Sequence, residues 1–521
     1  MQITEKDIQQ IKAKGLTVEK VAQQIDVFKK GIPPVNLREA ATIGRGILAF
    51  EEQELSKLAT IYDENIEKLN VVKFVPASGA ASRMFKDCYK FLNSYDYKKE
   101  SLNSYLNYEK ATAIRLFLIG LEKFPFYELV LTATLENYPN FDDLSEGEQL
   151  HAFVKTMLQN GKGLNFGSFP KGLLPFHKYK NSGVRTAFGE HLHESVSYST
   201  INKQSKLHFT VSKEHLTDFK EEFDRIRKIV EDKTDTTFNT SYSTQKAFTD
   251  TVAVNLNNSP FRNEDGSILF RPGGHGALIE NLNDIEADLV FIKNIDNVVV
   301  RKYQHELSIY KKALAGKLLE IQQKVFSILT SIEKKMPSEK ELIEISDFLE
   351  KELNINMPVD FIKFSDKFKQ EYLIEVLNKP IRVCGMVPNE GEPGGGPFWI
   401  KNEFGRSELQ IVESAQIDTS NSGQLKIMKN STHFNPVDLV CGMKDYKGNK
   451  FNLLNYVDHN AAFITHKTIR GQQVKALELP GLWNGAMANW ISIFVEVPII
   501  TFNPVKTVND LLKSAHQVKM F

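Results

Sequence analysis

Cysteine is scarce in this chain of 521 residues: Cys88, Cys384 and Cys441 are the three present. The number is odd and no two lie at the short spacing of a zinc pair, which argues against a disulfide framework and against a structural metal centre. A reducing, cytoplasmic setting is the expectation that follows. Charge of one sign is lacking too. Lys plus Arg and Asp plus Glu stand at 65 each, so no global field draws a polyanion, and nucleic acid is not an expected partner. No apolar run approaches the roughly 20 residues of a membrane helix. The opening MQITEKDIQQIKAKG is polar and amphipathic, without the apolar stretch of a secretion signal. Neither secretion nor a membrane is expected. What remains is a chain long enough to bury a sizeable pocket for a small ligand.

Hydrophobic periodicity then divides the chain. Val18, Val21, Ile25 and Phe28 follow helical spacing behind the candidate cap Thr17, and Gly31, Pro33 and Pro34 end the run, so residues 1–70 read as a helical N-terminal segment. VVKFVPA is a short β-branched run closed by small residues, a buried central strand over Val71 to Val75 that opens an α/β core spanning 71–300. Within it YKFLNSY, AIRLFLIGLEKF and LHAFVKTMLQNG mark a helical insertion at about 87–165. Strand-like LHFTVS, SILFRP and LVFIKNID alternate with helical stretches, which predicts a largely parallel sheet covered on both faces. A second helical insertion occupies 301–378. Its stripe Leu307, Tyr310, Leu314, Leu318, Ile321, Val325 and Ile328 reads as a packing face. Strands resume at IRVCGMV and run to IFVEVPIITF, so 379–521 completes the core.

Two places carry chemistry by residue type alone. In PASGAASRM the strand delivers the chain into the small residues Ala77, Ser78, Gly79, Ala80 and Ser82, over which backbone N–H groups can cradle a phosphate, with Arg83 as a bidentate donor. In LVFIKNIDNV an apolar strand ends just before Asn294, Asp296 and Asn297. Ligands of open α/β sheets bind beyond the carboxyl ends of strands, and a carboxylate there suits Mg²⁺ held against a phosphate. Each also reads, more plainly, as an ordinary turn.

Taken in order, a series of segments resembles the UDP-sugar pyrophosphorylases, particularly the UTP:glucose-1-phosphate uridylyltransferases. PASGAASRM is similar to their A-G-G-x-G-T-R-L signature, with Ser78 and Ala81 where glycines are usual. FPKGLLPFHKY resembles the Pro-Lys segment that normally follows the loop closely, with Lys171 as the matching lysine. RPGGHGALIENL is similar to P-P-G-H-G-D on the base side, through Gly274, His275 and Gly276. LVFIKNIDNV resembles N-x-D-N, whose aspartate, here Asp296, is the implied metal ligand. GEPGGGPFWI, ELQIVESAQI and STHFNPVDLVC resemble the sugar-side segments, which implies Gly395, Gly396, Glu413 and Asp438 as sugar contacts. ITFNPVKTVNDLL resembles P-V-K-x-x-S-D-L-L, with Lys506 as the implied catalytic lysine and Asn509 in place of Ser.

The resemblance implies a Rossmann-like nucleotidyltransferase core of the GT-A type, a three-layer α/β sandwich with a mixed, mostly parallel sheet, carrying the helical N-terminal segment and insertions. It implies an enzyme that joins a nucleoside monophosphate from a triphosphate, UTP favoured, to a sugar 1-phosphate with release of pyrophosphate and Mg²⁺ as cofactor. Arg83, Lys171 and Lys506 would serve the phosphates, and residues 77–80, 82 and 274–276 the nucleotide. Two other readings stay open, a non-catalytic nucleotide or nucleotide-sugar binder and a glycosyltransferase. The β-helical C-terminal domain usual in that group is not expected after Leu512, and the oligomeric state is left open.

Overall fold

Every residue of the strand Val71–Pro76 is buried, Lys73 included, as the apolar side chains on either side of that lysine require of a strand covered on both faces. The computed structural model describes residues 3–518 except 109, 110, 182, 359, 392, 393, 403, 404 and 406. The chain forms two compact units. The first comprises Met1–Phe74, Ser243–Ile292 and Ile309–Thr501, the second Val75–Tyr242, Lys293–Ser308 and Phe502–Phe521.

The first unit is built on a mixed sheet with strand order Thr42–Ile43, Gly46–Leu48, Ile491–Glu496, Ile381–Pro388, His433–Gly442, Leu289–Ile292 and Val71–Pro76. His433–Gly442 runs antiparallel to both its neighbours, while the other pairs are parallel. Two antiparallel sheets accompany it. One has three strands, Leu37–Ala40, Gly396–Lys401 and Ser407–Val412. The other has four and includes Thr251–Asn255 and Gln472–Glu478. SILFRP, expected in the parallel core, contributes only Phe270–Arg271, which pairs antiparallel with Thr251–Asn255 in this second sheet. Ile268 is drawn instead into a separate core with Ile11, Val21, Ile25 and Phe28 of the two N-terminal helices. The first seventy residues thus hold strands as well as helices.

Helices Lys86–Ser94, Leu102–Tyr108, Thr112–Ile119, Tyr127–Asn137 and Glu146–Leu158 belong to the second unit. Aromatic side chains pack between them: the Phe91 ring meets that of Tyr105 at 5.6 Å and the Tyr127 ring that of Phe153 at 5.8 Å between centroids. A hairpin, Pro175–Tyr179 with Gly183–Thr186, leads into helix Ala187–Ser195, capped by the Thr186 hydroxyl. Strand Gln204–Val211 and helix Leu216–Thr234 follow. Together the units make an α/β protein. Among the described residues no helix is long and apolar enough to cross a membrane.

Candidate active site

Four segments far apart in sequence meet in the second unit. Where the strand Val71–Pro76 ends, the Ala77 N–H donates to the Thr210 carbonyl at 2.8 Å and the Ile295 N–H to that of Pro76 at 3.2 Å. The small-residue loop is then clamped to the segment that the helical insertion had separated from it. Ala81 N–H donates to Phe169 O at 3.0 Å, Lys171 N–H donates to Gly79 O at 3.0 Å, and Ala80 bridges Pro170. The insertion packs into one apolar cluster with Val75, Phe176, Phe188, Phe209 and Val505 and returns the chain at Phe169, which turns a long sequence gap into a contact.

Ser78, Gly79, Ala80, Ser82 and Arg83 are exposed. Among the described residues, the N–H groups of Ser78, Gly79 and Ala80 take no backbone partner. Such a run of consecutive donors is what an anion requires. Of the two departures from the glycine signature, Ala81 is fully buried, its methyl absorbed by the core, so only Ser78 adds bulk on the open side. Gly79 keeps an ordinary backbone conformation, and a Cβ there would meet open space.

Lys171 reaches out of this clamp. Its Nζ lies 2.8 Å from Asp296 Oδ2 and 2.8 Å from the Val505 carbonyl oxygen. Asp296 stands just past the strand that ends at Ile292, and its own carbonyl accepts the Val505 N–H at 3.3 Å. Beside it Asn297, buried, accepts the Asn503 N–H at 2.8 Å on Oδ1. Lys506, next in the chain to Val505, is exposed, with Nζ 5.5 Å from the Phe502 ring centroid. The segment carrying it is pinned to the loop and to the helical insertion: the Val508 N–H donates to Met84 O at 3.0 Å, and the Asn509 amide donates to Ala113 O at 2.8 Å. Arg83, Lys171, Asp296 and Lys506 therefore stand on four segments tied by hydrogen bonds.

The chain past Lys506 is held by a second network. The Glu190 carboxylate lies 3.0 Å from His177 Nδ1, His177 Nε2 lies 3.0 Å from His516 Nδ1, and His516 Nε2 lies 3.1 Å from the Asn503 carbonyl oxygen. Burial holds His516 down at about 3, so it is neutral. Its single proton then faces the Asn503 carbonyl, which leaves its Nδ1 as the acceptor towards His177 Nε2. Burial acts to raise the Glu190 carboxyl, but the hydrogen bond and charge of His177, with Arg185, hold it low.

Residues expected on the base and sugar side belong to the first unit. His275 is exposed, its ring centroid 4.7 Å from that of Trp483. Gly274 has φ +74°, and a Cβ on Gly276 would lie 2.0 Å from the Pro480 carbonyl oxygen, so both positions demand glycine. Gly395 backs onto Val412 and Glu413, where a Cβ would lie 2.2 Å from the Val412 carbonyl oxygen, and one on Gly396 would lie 2.8 Å from that of His433. Glu413 accepts from the Asn435 amide at 3.3 Å, and burial pushes its carboxyl above the usual range. Gly395, Gly396 and Glu413 are thus brought together. Asp438 is buried, and Lys311 Nζ lies 2.5 Å from its Oδ1.

The family described as "Domain of unknown function (DUF4301)" matches residues 4–517 of this sequence. The chain belongs to that family. Among proteins of curated function, none matches this DUF4301 chain. Solved structures with a likeness to it include a uridine diphosphate N-acetylglucosamine pyrophosphorylase from Trypanosoma brucei, at 12% identity and TM-score 0.43 over 94% of this chain and 74% of that one. A UDP-glucose phosphorylase from the same organism gives 12% and 0.45 over 98% and 80%. A variant UDP-glucose pyrophosphorylase from Leishmania major in complex with UDP-glucose gives 11% and 0.42 over 97% and 77%. Likenesses this distant fix neither activity nor substrate.

Sequence reasoning passed over Asn435, Lys311 and the His177–Glu190–His516 network. Asn435 sat within a matched segment and was open to view. Lys311 lay in a stretch assigned to helix packing, and the two histidines lie 339 positions apart, with no local signal to join them.

Proposed function

We propose that this chain is a nucleotidyltransferase that transfers a nucleoside monophosphate from a nucleoside triphosphate to a sugar 1-phosphate, releasing pyrophosphate. The observation that carries this reading is the Lys171 side chain, bonded at once to Asp296 and to the carbonyl beside Lys506 while its backbone is bonded to Gly79. Phosphate-cradling donors, two lysines and a carboxylate at a strand end are the parts phosphoryl chemistry asks for.

In this reading the triphosphate lies against the N–H groups of 78–80, with Arg83 and Lys171 as counter-charges. An oxygen of the sugar 1-phosphate attacks the α-phosphorus in line. As that P–O bond forms, the bond to the bridging oxygen of the β-phosphate breaks and pyrophosphate departs with the electron pair. The nucleophile is already anionic at neutral pH, so the chain need not supply a general base, and positioning with charge neutralisation dominates. Lys506 meets the charge developing at the attacked phosphorus.

Among the described residues no group of three or more His, Cys, Asp and Glu side chains gathers to hold a metal. Asp296 nonetheless suits Mg²⁺, which takes one or two protein carboxylates and completes its shell from phosphates and water. Bound there, the ion would neutralise charge on the α- and β-phosphate oxygens. Lys171, paired with Asp296, would orient that carboxylate. Uridine is favoured as the base by the motif resemblance, and Gly395, Gly396, Glu413 and Asp438 are proposed for the sugar, with Gly274, His275 and Gly276 for the nucleotide.

The test is pyrophosphate release by the full chain from a panel of nucleoside triphosphates and sugar 1-phosphates with Mg²⁺. Release with one pairing, lost in Lys506→Ala and Asp296→Ala, supports the reading. Binding without release points to a sensor, and turnover unchanged in both variants rejects the site.

A further inference from the structure

Arg382 lies in the interior of the first unit, and among the described residues no counter-charge pairs with it. It stands in the strand Ile381–Pro388, opposite Cys441 on one neighbouring strand and Ser492 on the other, and is 0% exposed. Its Nε donates to the Ser492 hydroxyl at 2.8 Å and its Nη1 to the Trp483 carbonyl, while Nη2 has no partner among the described residues. Among the described residues no carboxylate pairs with it. Cys441 across the ladder and Cys384 two residues along its own strand carry thiols, not carboxylates. Burial pushes Cys384 up to about 11 and Cys441 higher still, so both are neutral. A guanidinium does not give up its proton in a protein, and a buried charge left unpaired is among the costliest arrangements a core can hold.

Two more polar side chains without partners lie along the same stretch. Asn484 follows the residue whose carbonyl takes Nη1. It is 1% exposed, and among the described residues neither its amide nitrogen nor its oxygen has a partner. The Ser492 hydroxyl that takes Nε donates in turn to the carbonyl of Trp490, whose own Nε1–H is buried and unmatched. Trp483, Trp490, Cys384 and Cys441 all belong to one apolar cluster, so the surroundings are apolar. A cation and N–H donors set among apolar side chains ask for one compact acceptor with a single negative charge.

We propose that Arg382 Nη2, Trp490 Nε1 and the Asn484 amide hold a small monovalent anion of the chloride class, a structural ion of the first unit. A divalent anion would leave one charge uncompensated. This inference does not rest on the nucleotidyltransferase reading.

The test follows thermal unfolding of the full chain while sodium chloride or bromide replaces sodium gluconate, too bulky for the site, at constant ionic strength. The expected result is a midpoint that rises with chloride and saturates, as for a ligand bound only by the folded state. Arg382→Met should remove the dependence. Trp490→Phe, which deletes one donor, should raise the half-saturating concentration about tenfold. Bromide-grown crystals should show an anomalous peak within hydrogen-bond reach of Nη2. A flat midpoint in the wild-type chain means that water satisfies these donors and overturns the proposal, and so does an equal chloride response in Arg382→Met. If Arg382→Met does not fold, Trp490→Phe and the bromide peak decide: an unchanged half-saturation with no peak overturns it.

Discussion

The Lys171 ammonium lies 2.8 Å from Asp296 Oδ2, two side chains 125 positions apart in sequence that form a partly buried ion pair with 17% and 18% of their surfaces exposed. A pair so placed orients each member, and its value to the protein is positional. Lys506→Ala and Asp296→Asn are expected to lower kcat for pyrophosphate release by about 10²–10³, the range for removing one group aimed at developing charge. Lys506 is exposed, so the unfolding midpoint of its variant should not move. Steady-state kinetics beside thermal unfolding checks both, and unchanged kcat in either variant rejects the assignment.

Gly79 has open space where a Cβ would stand and needs no unusual backbone angle. Gly79→Val should therefore fold as well as the parent while its side chain covers the neighbouring N–H groups. The expected outcome is an unfolding midpoint within a few degrees of the parent and nucleotide binding weakened at least tenfold by calorimetric titration. Intact binding of the nucleotide would place the phosphates elsewhere.

Acid should weaken the second unit. Burial holds His516 at about 3 and His193 at about 4 in the folded chain, against an ordinary 6.5. Below 6.5 the unfolded chain takes up protons that the folded chain refuses, so stability falls as pH drops from about 6.5 towards 4 and is fully present above that window. Chemical unfolding at a series of pH values should show this slope, and His516→Asn should flatten it. A slope identical in the variant would remove His516 from the account.

Asp438→Asn should destabilise the first unit, because Lys311 and Asp438 are 3% and 8% exposed and the substitution strands a buried ammonium. The expected cost is about 3–5 kcal/mol by chemical unfolding. Removing both charges, in Lys311→Met with Asp438→Leu, should recover much of it. If Asp438→Asn leaves stability untouched and alters only the sugar accepted, Asp438 serves the substrate alone.

The N-terminal helices show what local pattern carries. Thr17 caps Val18–Lys30, and Val21, Ile25 and Phe28 are buried, as helical spacing requires. Val71–Pro76, Ile381–Pro388 and Ile491–Glu496 are likewise strands where apolar runs marked them. SILFRP failed because its apolar residues serve an antiparallel sheet and a separate core, and a short apolar run does not state which partner it will find. Along helix Arg301–Lys334 the buried stripe follows Leu314, Leu318, Ile321 and Val325, then passes to Leu329 while Ile328 stays half exposed, because 3.6 residues per turn let a face drift over a long helix.

By itself the sequence determined the elements and the residue types that chemistry needs: a small-residue turn after a strand, an aspartate past another, two lysines beside prolines. Their local signals lie within a few positions, where backbone preference and side-chain periodicity act directly. Only the tertiary structure decided that Lys171 binds Gly79, Asp296 and Val505 together, that Asp438 is held by Lys311, and that Arg382 is buried with no counter-charge among the described residues. Those facts follow from how the insertion packs into the second unit's apolar cluster and how strands choose neighbours, and no residue carries that information alone.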